Sequence, residues 1–255
     1  MTMKPPAKDR PLLVTTTSEP FQPVRLYYRT PGHPGVVRKL RRLECMREDR
    51  RERCWRWLFH AEAASLRFVG GYEDVPEAMR PIVLGTIRFP RSRAMTVETN
   101  SIPRAIEGAR FLGPRLGLGT VATRVRLVNR FFAADEGPLL ELTKTIDRDV
   151  TVIDTREAEA ELTAALAGAR SIEDAERTAR ELLRRRPAHQ PDVPEVEDFP
   201  LAPEEETPDF QRLATALQFR LTRAVEHWNG NTHVTLTSLI QNAVQQARSG
   251  GGPRS

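Results

Sequence analysis

Residues 82–99 read IVLGTIRFPRSRAMTVET. Two runs rich in β-branched and apolar residues, Ile82–Phe89 and Ala94–Thr99, flank Pro90-Arg91-Ser92-Arg93. A proline with short polar neighbours between two such runs predicts an antiparallel hairpin, and this one carries a basic tip.

Working outward from that hairpin, the same local rules assign the rest of the first half. Upstream, Trp55, Trp57 and Phe59 alternate along Arg53–Phe59 and predict a strand with its aromatics on one face. Val24–Tyr28 is β-rich. Pro31-Gly32-His33-Pro34-Gly35 breaks the chain after it, and Val36, Val37, Leu40, Leu43 and Met46 follow at helical spacing. Downstream, Asn100 and Ser101 can cap a helix that tolerates Pro103 in its first turn and carries Ile102, Ala105, Ile106, Ala109 and Leu112 as a stripe. Val121–Phe132 returns as a strand with Val125 and Leu127 on one side and Arg124, Arg126, Val128 and Arg130 on the other. The order β-α-β-β-β-α-β predicts an α+β domain over residues 21–135, an open sheet covered by two helices, with ferredoxin-like topology as one option. Residues 1–20, with four prolines and a Thr15-Thr16-Thr17-Ser18 run, read as a flexible arm.

The second half reads as mainly helical. Residues 136–186 combine a short strand at Asp149–Ile153 with two helices, one opening at Asp154 and one at Ser171 that runs into Arg184-Arg185-Arg186. Residues 187–208 hold six prolines among many acids and predict an extended acidic linker. A helical hairpin follows over 209–248, with Phe210, Leu213, Leu217 and Leu221 on one face, and 249–255 read as a disordered tail.

Composition excludes several classes. In 255 residues, 39% are hydrophobic and 29% charged, so the chain can bury a core. No apolar run approaches the roughly 18 residues of a membrane span, and no secretory pattern opens the sequence, so a cytoplasmic protein without membrane contact is expected. Cys45 and Cys54 allow at most one disulfide; with His60 their spacing fits no common zinc pattern. Phosphate-loop, nucleophile-elbow, metalloprotease and dinucleotide motifs are absent from the sequence, so no cofactor and no catalytic residues are assigned, and a non-enzymatic protein is expected.

The clue to partners is the charge. Residues 1–130 hold 25 Lys and Arg against 12 Asp and Glu, whereas residues 131–255 hold 14 against 22. The net values, +13 and −8, suggest an anionic partner for the first half, a basic partner for the second, or attraction between them that masks both. The basic domain is therefore expected to contact the backbone of nucleic acid, DNA or RNA, through Arg38, Arg41, Arg42, Arg56, Arg91 and Arg93. Phe210, Leu213, Leu217 and Leu221 are expected to dock on a protein partner or on the first domain. A protein-only scaffold is the alternative reading of the same features.

Overall fold

The structure is a computed structural model that describes residues 10–117, 119–154, 193–202 and 209–249, with a few isolated positions between 155 and 192. The strands are β1 (Val24–Arg29), β2 (Met46–Asp49), β3 (Cys54–Leu58), β4 (Val83–Arg91), β5 (Ala94–Thr99), β6 (Val121–Val128), β7 (Thr151–Val152) and β8 (Val196–Pro200). The helices are α1 (His33–Leu40), α2 (Ile102–Leu116), α3 (Leu139–Thr143), α4 (Phe210–Trp228) and α5 (Leu236–Ser249). The strands form a single sheet in the order β2-β3-β4-β5-β1-β6-β8-β7, antiparallel throughout except for the β7–β8 pair. The expected α+β class therefore holds, with strands concentrated in the first half and long helices later. The sheet is wider than the five strands expected for the first domain.

Alternation along the strands sorts the two faces. On β1, Val24, Leu26 and Tyr28 are buried toward α1 and α2, while Arg25, Tyr27 and Arg29 point the other way. Trp55 and Trp57 on β3 join the helix-side core, and Trp57 stacks on Phe111 of α2 with ring centroids 5.7 Å apart. Gly108 makes that approach possible, since a Cβ there would meet Trp57 at 3.0 Å. Ser101 caps α2 by accepting from the Arg104 N–H at 3.2 Å. Leu213 and Leu217 of α4 are buried in the same core, and α4 packs alongside α2.

Among the described residues, the opposite face is covered at one end only. Val128 and Val196, which alternate away from the helices, pack with Phe21, Phe132, Leu142 and Ile146 in a second, smaller core. The segment that carries α3 thus crosses one end of this face, and no other described residues cover the rest.

Three expectations are corrected. The arm reading fails for residues 10–20, which dock on the domain through a bridge from Leu12 to Ala133 and fold back on themselves through one from Val14 to Pro20. The threonines serve a buried ion pair: Thr15 and Thr17 donate to the Glu19 carboxylate, and Arg104 Nε lies 3.3 Å from it. Helix α1 stops at Leu40 instead of reaching Met46. The Glu62 carboxylate accepts from the Glu44 and Cys45 N–H groups at 3.1 and 3.0 Å, which holds a turn and frees Met46–Asp49 to pair with β3. Finally, the expected linker over 187–208 contributes β8, inserted between β6 and β7. Its acids are buried because arginines neutralise them: Glu197 receives Arg220, and Asp198 receives Arg124 and Arg126. The helices expected between Asp154 and Leu183, the Arg184-Arg185-Arg186 run and the tail from residue 250 lie outside the described residues.

No helix among the described residues is long and apolar enough to cross a membrane.

Candidate functional site

Two groups of arginines stand apart among the described residues, and the contrast between them locates the site. The first population is consumed inside the fold. Arg25 binds Glu98 at 2.8 Å and Asp147 through both Nη atoms at 2.7 and 2.9 Å. Arg126 reaches Asp147 and Asp198, and Arg130 reaches Glu136 and Glu195 at 2.8 and 2.7 Å. Arg10 pairs with Asp135. Each of these bridges except Arg25–Glu98 joins a base from the positive half to an acid from the negative half. The charge asymmetry along the sequence is thus spent in part on internal pairing, in the planar fork geometry that guanidinium offers carboxylates.

The second population gathers at one end of the sheet. The turn of the β4–β5 hairpin carries Arg91 and Arg93, and its carbonyls accept from Thr30 and His33 at 2.9 and 2.8 Å, tying it to the end of β1 and the start of α1. Arg29 faces Ala94 in register there. The β2–β3 turn carries Arg50, Arg51 and Arg53, and Arg88 Nη1 donates to the Glu52 carbonyl at 2.9 Å, joining the two turns. Arg29, Arg50, Arg51, Arg53, Arg91 and Arg93 are exposed, and among the described residues none of them forms an ion pair. Three separate stretches of chain therefore present unpaired guanidinium groups along one rim, with Glu52 as the exposed acid among them.

The six arginines singled out from the sequence do not form one surface. Arg91 and Arg93 lie on this rim. Arg38, Arg41 and Arg42 are exposed on and just after α1, in the helix layer, where Arg41 sits 3.5 Å from Glu48. Arg56 lies on the other face of the sheet, held by Asp49 at 3.3 Å and donating to Thr86 at 3.1 Å. Arg50, Arg51 and Arg53 are hidden in the sequence because the chain before them reads as a longer helix, which conceals the turn, and Arg29 joins the rim only through the register of β1 with β5.

Tyr27 marks the open part of the face beside the rim. Its ring lies 4.1 Å from the Arg124 guanidinium carbon and 5.7 Å from that of Arg126. Tyr28, Trp55 and Trp57 point into the helix-side core instead.

The apolar face of α4 does not await an external partner. Leu213 and Leu217 are buried, and Phe210 and Leu221 pack against the same core, so the first domain occupies this face. The reason is that β8 extends the sheet beneath α4 and supplies Phe199, over which Arg220 stacks at 3.7 Å. At the end of α4, a groove of about 410 Å³ is lined by Asn129, Arg130, Glu136, Arg223, His227 and Trp228. His227 Nε2 lies 2.7 Å from the Val234 carbonyl and closes the turn between α4 and α5.

Cys45 lies opposite Leu58 and Cys54 opposite Asp49 on the β2–β3 ladder, so the two thiols are separated by most of a strand and cannot be bridged. Among the described residues no three His, Cys, Asp or Glu side chains gather as a metal site.

Compared with protein-family models, curated proteins and solved structures, the chain matches none.

Proposed function

We propose that the protein is a non-enzymatic accessory factor that binds the phosphate backbone of nucleic acid along the basic rim formed by Arg29, Arg50, Arg51, Arg53, Arg91 and Arg93. The observation that carries this reading is the contrast between the two arginine populations. On the sheet face and beside β8 the arginines are matched to carboxylates, while among the described residues three loops brought to one end of the sheet gather six that are not; other unmatched arginines, such as Arg38, Arg42 and Arg67, stand elsewhere on the surface. Unpaired guanidinium groups on fixed turns suit phosphate binding without sequence readout. Arg38, Arg41 and Arg42 extend the positive field over the helix layer. In this reading β4-β5-β1-β6 with α1 and α2 serves as a ferredoxin-like core, widened by β2-β3 on one side and β8-β7 on the other.

The test is a titration of labelled single- and double-stranded DNA and RNA at two salt concentrations. Binding is expected to be salt-sensitive. Replacing Arg51, Arg91 and Arg93 together by alanine is expected to lower affinity for every sequence alike and to flatten the salt slope by about 0.7 to 0.9 for each phosphate that is no longer neutralised. The double change Arg41→Ala, Arg42→Ala is expected to act in the same direction and more weakly. No binding at low salt overturns the proposal.

A protein-only scaffold is the second reading, and α5 favours it. Ile240 and Val244 are 38% and 51% exposed on a helix whose packing is against α4. Co-purification of a stoichiometric partner without nucleic acid, abolished by Ile240→Asp, would support that reading over the first.

A further inference from the structure

The open face next to the rim names the form of nucleic acid, an inference that rests on the reading above. By strand alternation, Tyr27 is the aromatic that β1 to β6 present on this face among the described residues; its companions there include Arg25, Arg29, Arg56, Arg88, Thr96 and Arg124. Among the described residues, the crossing segment reaches as far as Arg25 and Arg126, which Asp147 engages. Tyr27 lies beyond that pairing, two residues before Arg29, so about 7 Å of strand separates the ring from the rim. In register it sits between Thr96 on β5 and Arg124 on β6, with Arg88 one strand farther on.

This surface is the face of a twisted antiparallel sheet, several strands wide at about 4.8 Å per strand. A major groove about 12 Å wide admits a helix or a two-stranded ribbon, and not such a sheet. Paired bases also present their edges and keep their faces stacked within the duplex. Only an unpaired base can lay its face on a tyrosine ring or on a guanidinium plane. A half-buried aromatic flanked by guanidinium groups, beside a rim of unpaired arginines, therefore complements both parts of a single strand: its exposed base faces and its phosphates.

We infer that the ligand is single-stranded nucleic acid, with one base stacked on the Tyr27–Arg124 platform and the adjoining phosphates on Arg29, Arg91 and Arg93.

The full chain is titrated with a short oligothymidylate, a duplex of the same length and an abasic strand of the same length. The oligothymidylate is expected to bind about 10-fold or more tightly than either of the others. Tyr27→Ala is expected to lower its affinity about 10- to 100-fold, the range for removal of one stacked base, with the salt slope unchanged because every phosphate keeps its arginine. Tyr27→Phe keeps the ring and is expected to retain the affinity. The abasic comparison uses the unaltered protein and decides the matter even where Tyr27→Ala fails to fold. Equal affinity for the normal and abasic strands, or preference for the duplex, overturns this inference while leaving the basic rim standing. Absence of binding to all three overturns both.

Discussion

Arg126 grips Asp198 across the β6–β8 pair, with its Nε and Nη2 lying 2.9 and 2.8 Å from Asp198 Oδ2. Asp198 is 1% exposed, and Arg124 Nε stands 3.1 Å from its other oxygen. Burying a carboxylate this deeply is tolerable only with cations against it. Asp198→Asn is expected to lower stability by about 2 kcal/mol, less than the roughly 3–5 kcal/mol of a fully broken buried pair because Arg126 keeps Asp147. A urea unfolding midpoint measured for both proteins at neutral pH tests this.

Acid should weaken the fold for a related reason. The hydrogen bond and charge of Arg25 hold the Asp147 carboxyl below its usual range. Burial pushes the Glu136 carboxyl up, but the Ala133 N–H and Arg130 outweigh it and bring it below its ordinary value. A carboxylate with a lowered folded-state value favours the unfolded chain when protonated. Stability from these groups is therefore complete above roughly pH 4, the ordinary carboxylate value, and is lost as pH falls through the lowered ones. Unfolding midpoints are expected to agree at pH 7 and pH 5 and to fall toward pH 3, with a smaller acid-dependent fall in Asp147→Asn.

Two glycines are expected to respond to alanine with opposite signs. A Cβ on Gly85 would lie 2.8 Å from the Glu98 carbonyl oxygen and 3.2 Å from Thr99 Cγ2, and the β4–β5 ladder cannot shift to relieve it. Gly85→Ala is expected to cost about 1–3 kcal/mol through overpacking. Gly35 sits in the first turn of α1 with no atom within 4 Å of its would-be Cβ, and Gly35→Ala is expected to add about 0.5–1 kcal/mol by restricting the unfolded chain. Thermal melts of the two variants beside the parent distinguish the cases.

Both cysteines should be silent in the native protein. Burial pushes the Cys45 thiol up to about 12, with the neighbouring Glu62 carboxylate adding to the effect, so almost no thiolate forms at neutral pH. Cys54 is 2% exposed. A thiol-disulfide reagent is expected to react slowly with the folded chain and with two thiols after denaturation. Rapid reaction of one thiol in the native protein would contradict the packing around β2 and β3.

What was legible in the sequence was local. The 82–99 hairpin, the capped α2 helix and the apolar stripe of α4 all declare themselves within about fifteen residues, because period, cap and turn chemistry need no distant partner. Strand β8 could not be read that way. Its Glu197 and Asp198 look like solvated linker acids until Arg126, 72 positions earlier, and Arg220 are placed against them. The same reason divides the candidate site. Arg91 and Arg93 were visible from their turn, whereas Arg29 joins them only through the register of β1 with β5. Tyr27 was legible in principle: Val24, Leu26 and Tyr28 share one alternation, which assigns Tyr27 to the arginine side.

The insertion of β8 also governs how the chain can be made. As it leaves the ribosome, β6 emerges with its outer edge unpaired, and the strand that covers that edge is translated some seventy residues later. During that interval Leu127 and Val128 border an open ladder, the condition under which nascent chains associate with one another. A fragment ending before Val196 would be locked in this state, so the basic half, although read as a domain, has its sheet finished by the acidic one.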